Sequence, residues 1–454
     1  MKEKLLRVVL PILCLGLVQC TSSTTDTSSA PTAFAVLRFT SSGAPDPSFA
    51  NGAVTTVITP GLFDFAMAAA VQPDNKIVVG GSTGLAGQGT IALVRYITNG
   101  TLDTAGFGTT GTGIVRTPLV GVSASASAIA LEPPPSNKII VAALTVQTST
   151  NTTTTGIALL RYNTNGTLDT TFNAAGLNPG IVTAAIGPGL AGDTCALALQ
   201  GDGKIVVAGA SQNGSLVLYR YDAAGVLDPN FGTNGIGGST VTTLTTAAMS
   251  PALALSPVTG KIVLVGGTNV DQVVLRYNTD GTLDATFGTT QTVPGIVVTD
   301  INNNSINFAN AVAVQADDKI VVAGHANVNF NADTSDISLV RYDPDGTLDT
   351  TFVGVNQAVP GIVVTDLGGR FDNAFSLALQ TPAAAATNIL ISGNSGFAGV
   401  SQTVVLRYTP VGALDTTFGT NGVVGANLLG PSNIASGNAV VLQTNIGIVV
   451  AGYD

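Results

Sequence analysis

The 454-residue chain has no tryptophan, one histidine, two glutamates and three cysteines, and only 10% of its residues are charged. Each shortage excludes something. A single histidine cannot build a histidine-rich metal site. A Ser-His-Asp relay would have to run through His325, and no Gly-x-Ser-x-Gly phrase accompanies it. Without tryptophan, the best aromatic platform for stacking sugar rings is missing. The cysteines supply no disulfide framework: Cys14 and Cys20 sit near the N-terminus, and Cys195 lies in the alternating apolar run Thr194–Leu199. With 17 lysines and arginines against 27 acids the net charge is −10, which argues against nucleic acid as a partner. Long apolar runs are also scarce. Leu5–Val18 gives fourteen residues, about 21 Å as a helix against the roughly 30 Å core of a bilayer. What remains is 45% hydrophobic and contains 54 glycines. That is too apolar for a disordered chain, and its Gly, Thr, Asn, Val and Ala bias is β-rich and turn-rich.

The N-terminus reads as an address. Lys2, Lys4 and Arg7 form a cationic start, the Leu5–Val18 run follows, and the segment ends Leu17-Val18-Gln19-Cys20 before a Ser/Thr-rich tract, Thr21–Ala33. This resembles a bacterial lipoprotein signal, with Gln19 where that pattern has a small residue. The resemblance implies lipidation of Cys20, which would become the first residue of an exported protein at the bacterial outer membrane or cell surface; without lipidation the protein would be secreted. Loss of residues 1–19 removes three cations and one anion and leaves a charge of −12.

From residue 34 onward the chain is organised by repetition. One phrase joins Leu or Val, one residue, Arg, an aromatic, a turn, Gly, Leu-Asp and Phe, as in Leu159-Leu160-Arg161-Tyr162-Asn163-Thr164-Asn165-Gly166-Thr167-Leu168-Asp169-Thr170-Thr171-Phe172. Its arginine recurs at 38, 95, 161, 220, 276, 341 and 407, at intervals of 56 to 66 residues. Between these copies falls an apolar run of the type Lys76-Ile77-Val78-Val79-Gly80, also seven times. Each period predicts four strands: a after the glycine turn, as in Ile296–Thr299; b, with Ala68/Ala70 or Ala311/Ala313 on one face and aliphatics on the other; c, the Lys-Ile-Val-Val run; and d, the Leu-x-Arg-Tyr run. Apolar residues on both faces of b predict a strand covered on both sides. Sixty residues for four strands fit a propeller blade better than a β-helix coil. The first copy begins at strand d (34–39) and the last ends after strand c (446–452), so pairing them would close a ring. The expected fold is therefore all-β: a seven-bladed β-propeller of four-stranded antiparallel blades over residues 34–454, preceded by a signal (1–19) and a tether (20–33). These phrases resemble the delta-60 repeat, a bacterial β-propeller repeat family. The resemblance implies a secreted or surface protein and carries no activity with it.

Every motif arginine has an aspartate eight residues on, among them Arg161/Asp169, Arg276/Asp284 and Arg341/Asp349. A strand end, a glycine turn and a return bring such side chains together, predicting seven structural ion pairs. The rival reading is calcium at Asp343-Pro344-Asp345-Gly346-Thr347-Leu348-Asp349, whose oxygens alternate around a glycine as in a Ca²⁺ loop. Most other copies lack those oxygens, so no metal or cofactor is assigned there. After residue 19, seven arginines fall in pairs and five lysines in the c phrase, leaving only Arg116 and Arg370. A site for phosphate or sulfated polymers would have almost nothing to use.

The d–a and b–c turns share one face and are nearly uniform, whereas the a–b and c–d loops vary, up to the Thr-rich Leu144–Gly156. Binding usually resides in variable loops on a rigid scaffold. The densest polar set there comprises Asp300, Asn302, Asn303, Asn304, His325, Asn327, Asn329, Asp333 and Asp336, with Asp366, Arg370 and Asp372 from the next repeat. Asp300, Asn303, His325, Asp333, Asp366, Arg370 and Asp372 are the candidate ligand-binding residues, with Ca²⁺ among the ligands considered. The expected protein is a non-catalytic, monomeric surface scaffold for a protein or glycan, touching the membrane only through Cys20. The alternatives are a carboxylate-based glycan hydrolase or lyase, using a pair such as Asp300 and Asp366, and a purely structural surface protein. Lipidation has a direct test: Cys20→Ala should move the protein from the detergent phase to the aqueous phase in a detergent partition. Unchanged partitioning would remove the anchor from the picture.

Overall fold

The computed structural model describes residues 32–453 except for 86, 109–110, 149–152, 185–193, 211–214, 233–236, 245–248, 268–269, 302–305, 328–333, 356, 369–370, 381–386, 398–399, 427–435 and 445. The leader, Cys20, Asn303, Asp333 and Arg370 therefore lie outside the described residues. Among the described residues no helix is long and apolar enough to cross a membrane. The fold is all-β and propeller-like, built of antiparallel four-stranded sheets.

Six sheets follow one another along the chain, here called blades 1 to 6, over residues 63–117, 123–184, 196–242, 249–299, 307–365 and 371–426. In each the order is b-c-d-a. Blade 5, for instance, comprises Asn307–Val314 (b), Ile320–Asn327 (c), Ser335–Tyr342 (d) and Ile362–Thr365 (a). A seventh sheet draws on both ends of the described chain. Phe34–Phe39 pairs antiparallel with Gly447–Tyr453, from Phe34↔Tyr453 to Phe39↔Ile448, and Ala53–Thr56 and Ser436–Gln443 flank this pair. Blades 5 and 6 are further joined by a parallel bridge, Ser335↔Phe371.

Strands c and d are continuous β-branched runs rather than alternating ones because both of their faces meet a neighbouring sheet. The core accordingly lies between blades. Val263, Val265, Phe287 and Val297 of blade 4 pack with Ile320, Val322 and Tyr342 of blade 5. The seventh sheet packs against blade 1 through Phe34, Val449 and Ala451, and against blade 6 through Phe39, Val440 and Ile448. The b strands pack on one another from blade to blade. Here the structure departs from the alternation argument. Ala69–Val71 and Val312–Val314 are half-buried, because a b strand is hydrogen-bonded along one edge only. Most b strands also carry a bulge, as between Ala309 and Ala311, which strict alternation gives no sign of.

The repeated charges hold neighbouring blades together. In all seven copies the arginine Nε donates to the aspartate Oδ2 at 2.6 to 2.9 Å. The guanidinium lies 4.5 to 4.7 Å from the centroid of the phenylalanine that ends the same phrase. Its Nη1 donates to a turn carbonyl of the next blade: Arg276 to Pro344, Arg341 to Pro410, and Arg407 of blade 6 to Ser41 of the seventh sheet. A parallel backbone bond accompanies each, such as Gly288 N–H to Asp345 O at 2.7 Å and Gly419 N–H to Ser42 O at 2.8 Å. The turn glycine fits this joint for two reasons. Gly281 has φ +87°, and a Cβ there would stand 2.7 Å from the Phe231 ring of the preceding blade.

Five lysines complete the clamps, a role the sequence reading did not assign them. Lys76, Lys138, Lys204, Lys261 and Lys319 reach the same aspartate oxygen as the arginine, at 2.7 to 3.3 Å. Burial alone would raise the Asp284 pKa. The hydrogen bonds from Lys261 and Thr286 and the Arg276 charge outweigh it and hold the carboxyl well below its ordinary 3.8. Tyrosines add a second bond between blades: the hydroxyls of Tyr342 and Thr299 lie 2.7 Å apart.

Arg276 and Asp284 are 8% and 2% exposed, so removing one partner strands a buried charge. Asp284→Ala is expected to lower stability by about 3–5 kcal/mol. Asp74→Ala, which removes an exposed partner of Lys76, should cost under about 1 kcal/mol. Denaturant midpoints check this, and equal losses in the two variants would refute the clamp as the joint between blades.

Candidate functional site

The face opposite the clamps carries the a–b and c–d connections, and their forms differ between blades. In blade 2 the described parts of the Thr-rich segment are strand. Ile139–Thr148 and Thr153–Tyr162 extend into it as a ladder to Thr148↔Thr153, as threonine's β-branched side chain favours. Blade 6 has a similar extended hairpin, Asn388–Phe397 with Val400–Tyr408. In blade 5 strand c runs to Asn327, which places His325 inside the sheet. Its ring stacks on Phe308 with centroids 4.6 Å apart and is 7% exposed. Burial lowers its pKa to about 4, so the ring is neutral near pH 7.

Where blades 5 and 6 meet, three carboxylates converge. Asp336 stands near the start of strand d of blade 5, Asp366 directly after strand a, and Asp372 at the start of strand b of blade 6, Phe371–Gln380. One oxygen from each lies within 4.8 Å of the others. Asp366 is exposed, Asp336 half-buried and Asp372 fully buried. Asp372 Oδ2 accepts the Leu367 N–H at 2.8 Å, which fixes the a–b loop, whereas its Oδ1 is buried with no hydrogen-bond partner. The Asp336 pKa is raised from 3.8 to about 6, first by burial and then by the charges of Asp366 and Asp372.

A related trio stands one blade earlier. Asp271, Asp300 and Asn307 occupy the corresponding positions around blades 4 and 5, and burial and the Asp300 charge raise the Asp271 pKa. The residue in the buried position there is an amide, and Asn307 Nδ2 donates to Val270 O at 3.2 Å. Of the candidates taken from the sequence, Asp366 and Asp372 thus come together with Asp336. Asp300 acts on Asp271 instead, and His325 is enclosed by its own sheet. Asp336 belonged to the polar set but was not singled out. Its recurrence in consecutive repeats, Asp271/Asp300/Asn307 and Asp336/Asp366/Asp372, was the available signal. Beside this cluster, Leu367, Ser395, Gln402, Val404, Thr420, Val423 and Gly425 line an open cavity of about 300 Å³, which runs along strand a of blade 6 to the d–a connection at Thr420.

The family model described as "Domain of unknown function (DUF5122) beta-propeller" matches seven segments: 22–49, 72–105, 135–172, 200–231, 259–287, 315–352 and 388–418. Together they make up half of the chain. No curated protein gives a significant sequence match. Among solved structures, the polysaccharide lyase Uly1 is similar at 10% identity and a TM-score of 0.44, with 96% of this chain and 95% of that chain covered. A mutant of AofleA from Arthrobotrys oligospora aligns at 12% identity and a TM-score of 0.40, covering 80% and 87%. A mutant of the NanB sialidase from Streptococcus pneumoniae aligns at 10% identity and a TM-score of 0.34, covering 86% and 68%.

The raised Asp336 pKa has a measurable sign. A carboxyl whose folded pKa lies above its unfolded value opposes folding fully above about pH 6, and relief sets in as pH falls toward 3.8. In chelator, Asp336→Asn should melt higher than the parent at pH 7.5, and the gap should shrink steadily down to pH 4. A gap independent of pH would show that Asp336 is not held among like charges.

Proposed function

We propose that this chain, which belongs to the DUF5122 beta-propeller family, is a closed seven-bladed ring that works as an exported binding scaffold, recognising a glycan or protein through the face opposite its clamps. The observation that carries this reading is the contrast between the two faces. On one, the same arginine, aspartate and phenylalanine recur seven times and tie each blade to the next. On the other, hairpins and loops differ from blade to blade and hold Asp336, Asp366 and Asp372, carboxylates that take no part in clamps. Pairing of Phe34–Phe39 with Gly447–Tyr453 and the bond from Arg407 to Ser41 support closure of the ring. The cavity beside Asp366, with Gln402 and Ser395 on its wall, is the favoured contact region. The lipid at Cys20 would hold a monomeric ring at a bacterial surface, and no cofactor is needed for this role.

Catalysis is the second reading, favoured by one observation: a carboxyl with a pKa of about 6 beside another carboxylate is the pattern of acid–base pairs in glycan cleavage. Retention on immobilised polysaccharides, neutral and acidic, and on peptidoglycan separates the readings. Binding without new reducing ends, lost when residues 145–155 are replaced by a two-residue turn and Gln402 by alanine, is the expected result. Release of reducing ends or unsaturated products would favour the enzyme. Retention unaffected by these changes, or none on any support, would overturn recognition through this face.

A further inference from the structure

We propose that Asp336, Asp366 and Asp372 form a binding site for a hard divalent cation of the Ca²⁺ type, which staples blade 5 to blade 6. The donor set consists of carboxylate oxygens only, without histidine or cysteine, and so selects hard cations over zinc or copper. Oxygens within 4.8 Å of one another can share one ion at Ca²⁺–O distances of about 2.3–2.6 Å. Within that class Ca²⁺ takes carboxylates in flexible geometry, whereas Mg²⁺ demands near-ideal octahedral geometry and gives up its water reluctantly.

Proximity of acids alone does not make a site, and the second observation is the Asp372 side chain. It is 0% exposed, one oxygen is fixed by the Leu367 N–H, and the other, Oδ1, is sealed from water without a donor. A buried carboxylate oxygen with no partner is costly. At the matching position of blade 5 the chain has Asn307, whose amide finds a carbonyl, so the fold does not require a carboxylate there.

Asp64, at the matching position of blade 1, sharpens the comparison. It too is fully buried, with Oδ2 holding the Ile58 N–H at 2.7 Å and Oδ1 unpartnered. Its flanking positions carry Ala33 and Val57 where the cluster carries Asp336 and Asp366, and Arg116 donates to the Ile58 carbonyl of the same loop. One orphan oxygen is thus tolerable where the flanking positions carry no further carboxylate. Three carboxylates without a described cation among them call for a positive charge. A bound cation would tie strand d, the a–b loop and strand b of the next blade at one point, where the two sheets already share the Ser335↔Phe371 bridge. Water and loop carbonyls complete such a coordination shell.

The test uses the full purified chain, stripped with chelator and titrated with CaCl₂ by calorimetry and by thermal melting at pH 7.5. One saturable Ca²⁺ per chain is expected, in the range of about 10⁻⁴ to 10⁻³ M typical of extracellular modules or tighter. Binding should raise the melting midpoint and weaken at least about tenfold in both Asp366→Asn and Asp336→Asn through lost ligand charge. The Asp366 variant keeps the buried carboxyl and the Leu367 bond, so it should remain folded. Binding should also fade by pH 4.5, and MgCl₂ should bind more weakly. No saturable binding up to 10 mM, or binding equal in the parent and Asp366→Asn, overturns the site. A cation from the chain itself is the competing explanation, and Arg370 is the nearest in sequence. If the parent fails to bind and Arg370→Ala binds, the cluster is an internal ion pair and the proposal falls.

Discussion

Everything else in the molecule depends on how it buries seven guanidinium groups. An arginine 2 to 8% exposed loses its hydration and must recover it from neighbours. Each one does so with an aspartate on its own turn, an aromatic face below it and a carbonyl from the next blade. The first two partners are local and shape the turn. The third is not local, and it makes the turn a joint: the guanidinium is fully satisfied only when the neighbouring blade is docked. Separate β-sheets with few backbone bonds between them thereby acquire a charged connection at every interface. The Phe231 contact with Gly281 and the Tyr342–Thr299 bond use the same interfaces, so apolar packing, polar pairing and backbone shape select one blade spacing together.

That arrangement divides the molecule electrostatically. The clamp arginines and the lysines that join them lie on the d–a and b–c side, where aspartates already neutralise them. On the opposite side the described fixed charges are Asp64, Asp271, Asp300, Asp336, Asp366 and Asp372, with Arg116 as the described cation. The same side-chain type therefore lives in two environments. Asp284, beside Lys261 and Arg276, is held ionised far into acid; Asp336, among carboxylates, takes up a proton near pH 6. One face is stabilised by its charges and the other bears a cost from them.

Much of this was legible in the sequence, and the limits of legibility are physical. The Arg161 and Asp169 pairing was readable because eight residues around a glycine turn form a local geometry that any copy of the phrase must repeat. The strand periods were readable because Ile-Val-Val runs fit no other buried element of that length. What escaped were contacts set by the relation between blades: Arg276 to the Pro344 carbonyl, Lys261 as second partner of Asp284, and the b-strand bulges. The same holds for the carboxylate cluster. Asp336 and Asp372 are thirty-six residues apart and belong to different sheets, and only docking of those sheets brings them together. His325 shows the reverse effect. As the sole histidine it drew notice, yet strand c extends far enough to enclose it against Phe308.

The division of charge also narrows what the variable face can meet. A polyanion would approach a surface whose described charges are acidic save one, and it would have to displace Arg116 from the Ile58 carbonyl to gain a cation. Neutral glycans and basic or neutral protein surfaces meet no such barrier. A divalent cation held by Asp336, Asp366 and Asp372 would cut the charge of the three ionised carboxylates from −3 to −1 and so lower that barrier at one junction between blades. The identity of an acceptable partner is then tied to the occupancy of that cluster. The link arises because nearly every described cation is already committed to holding blades together.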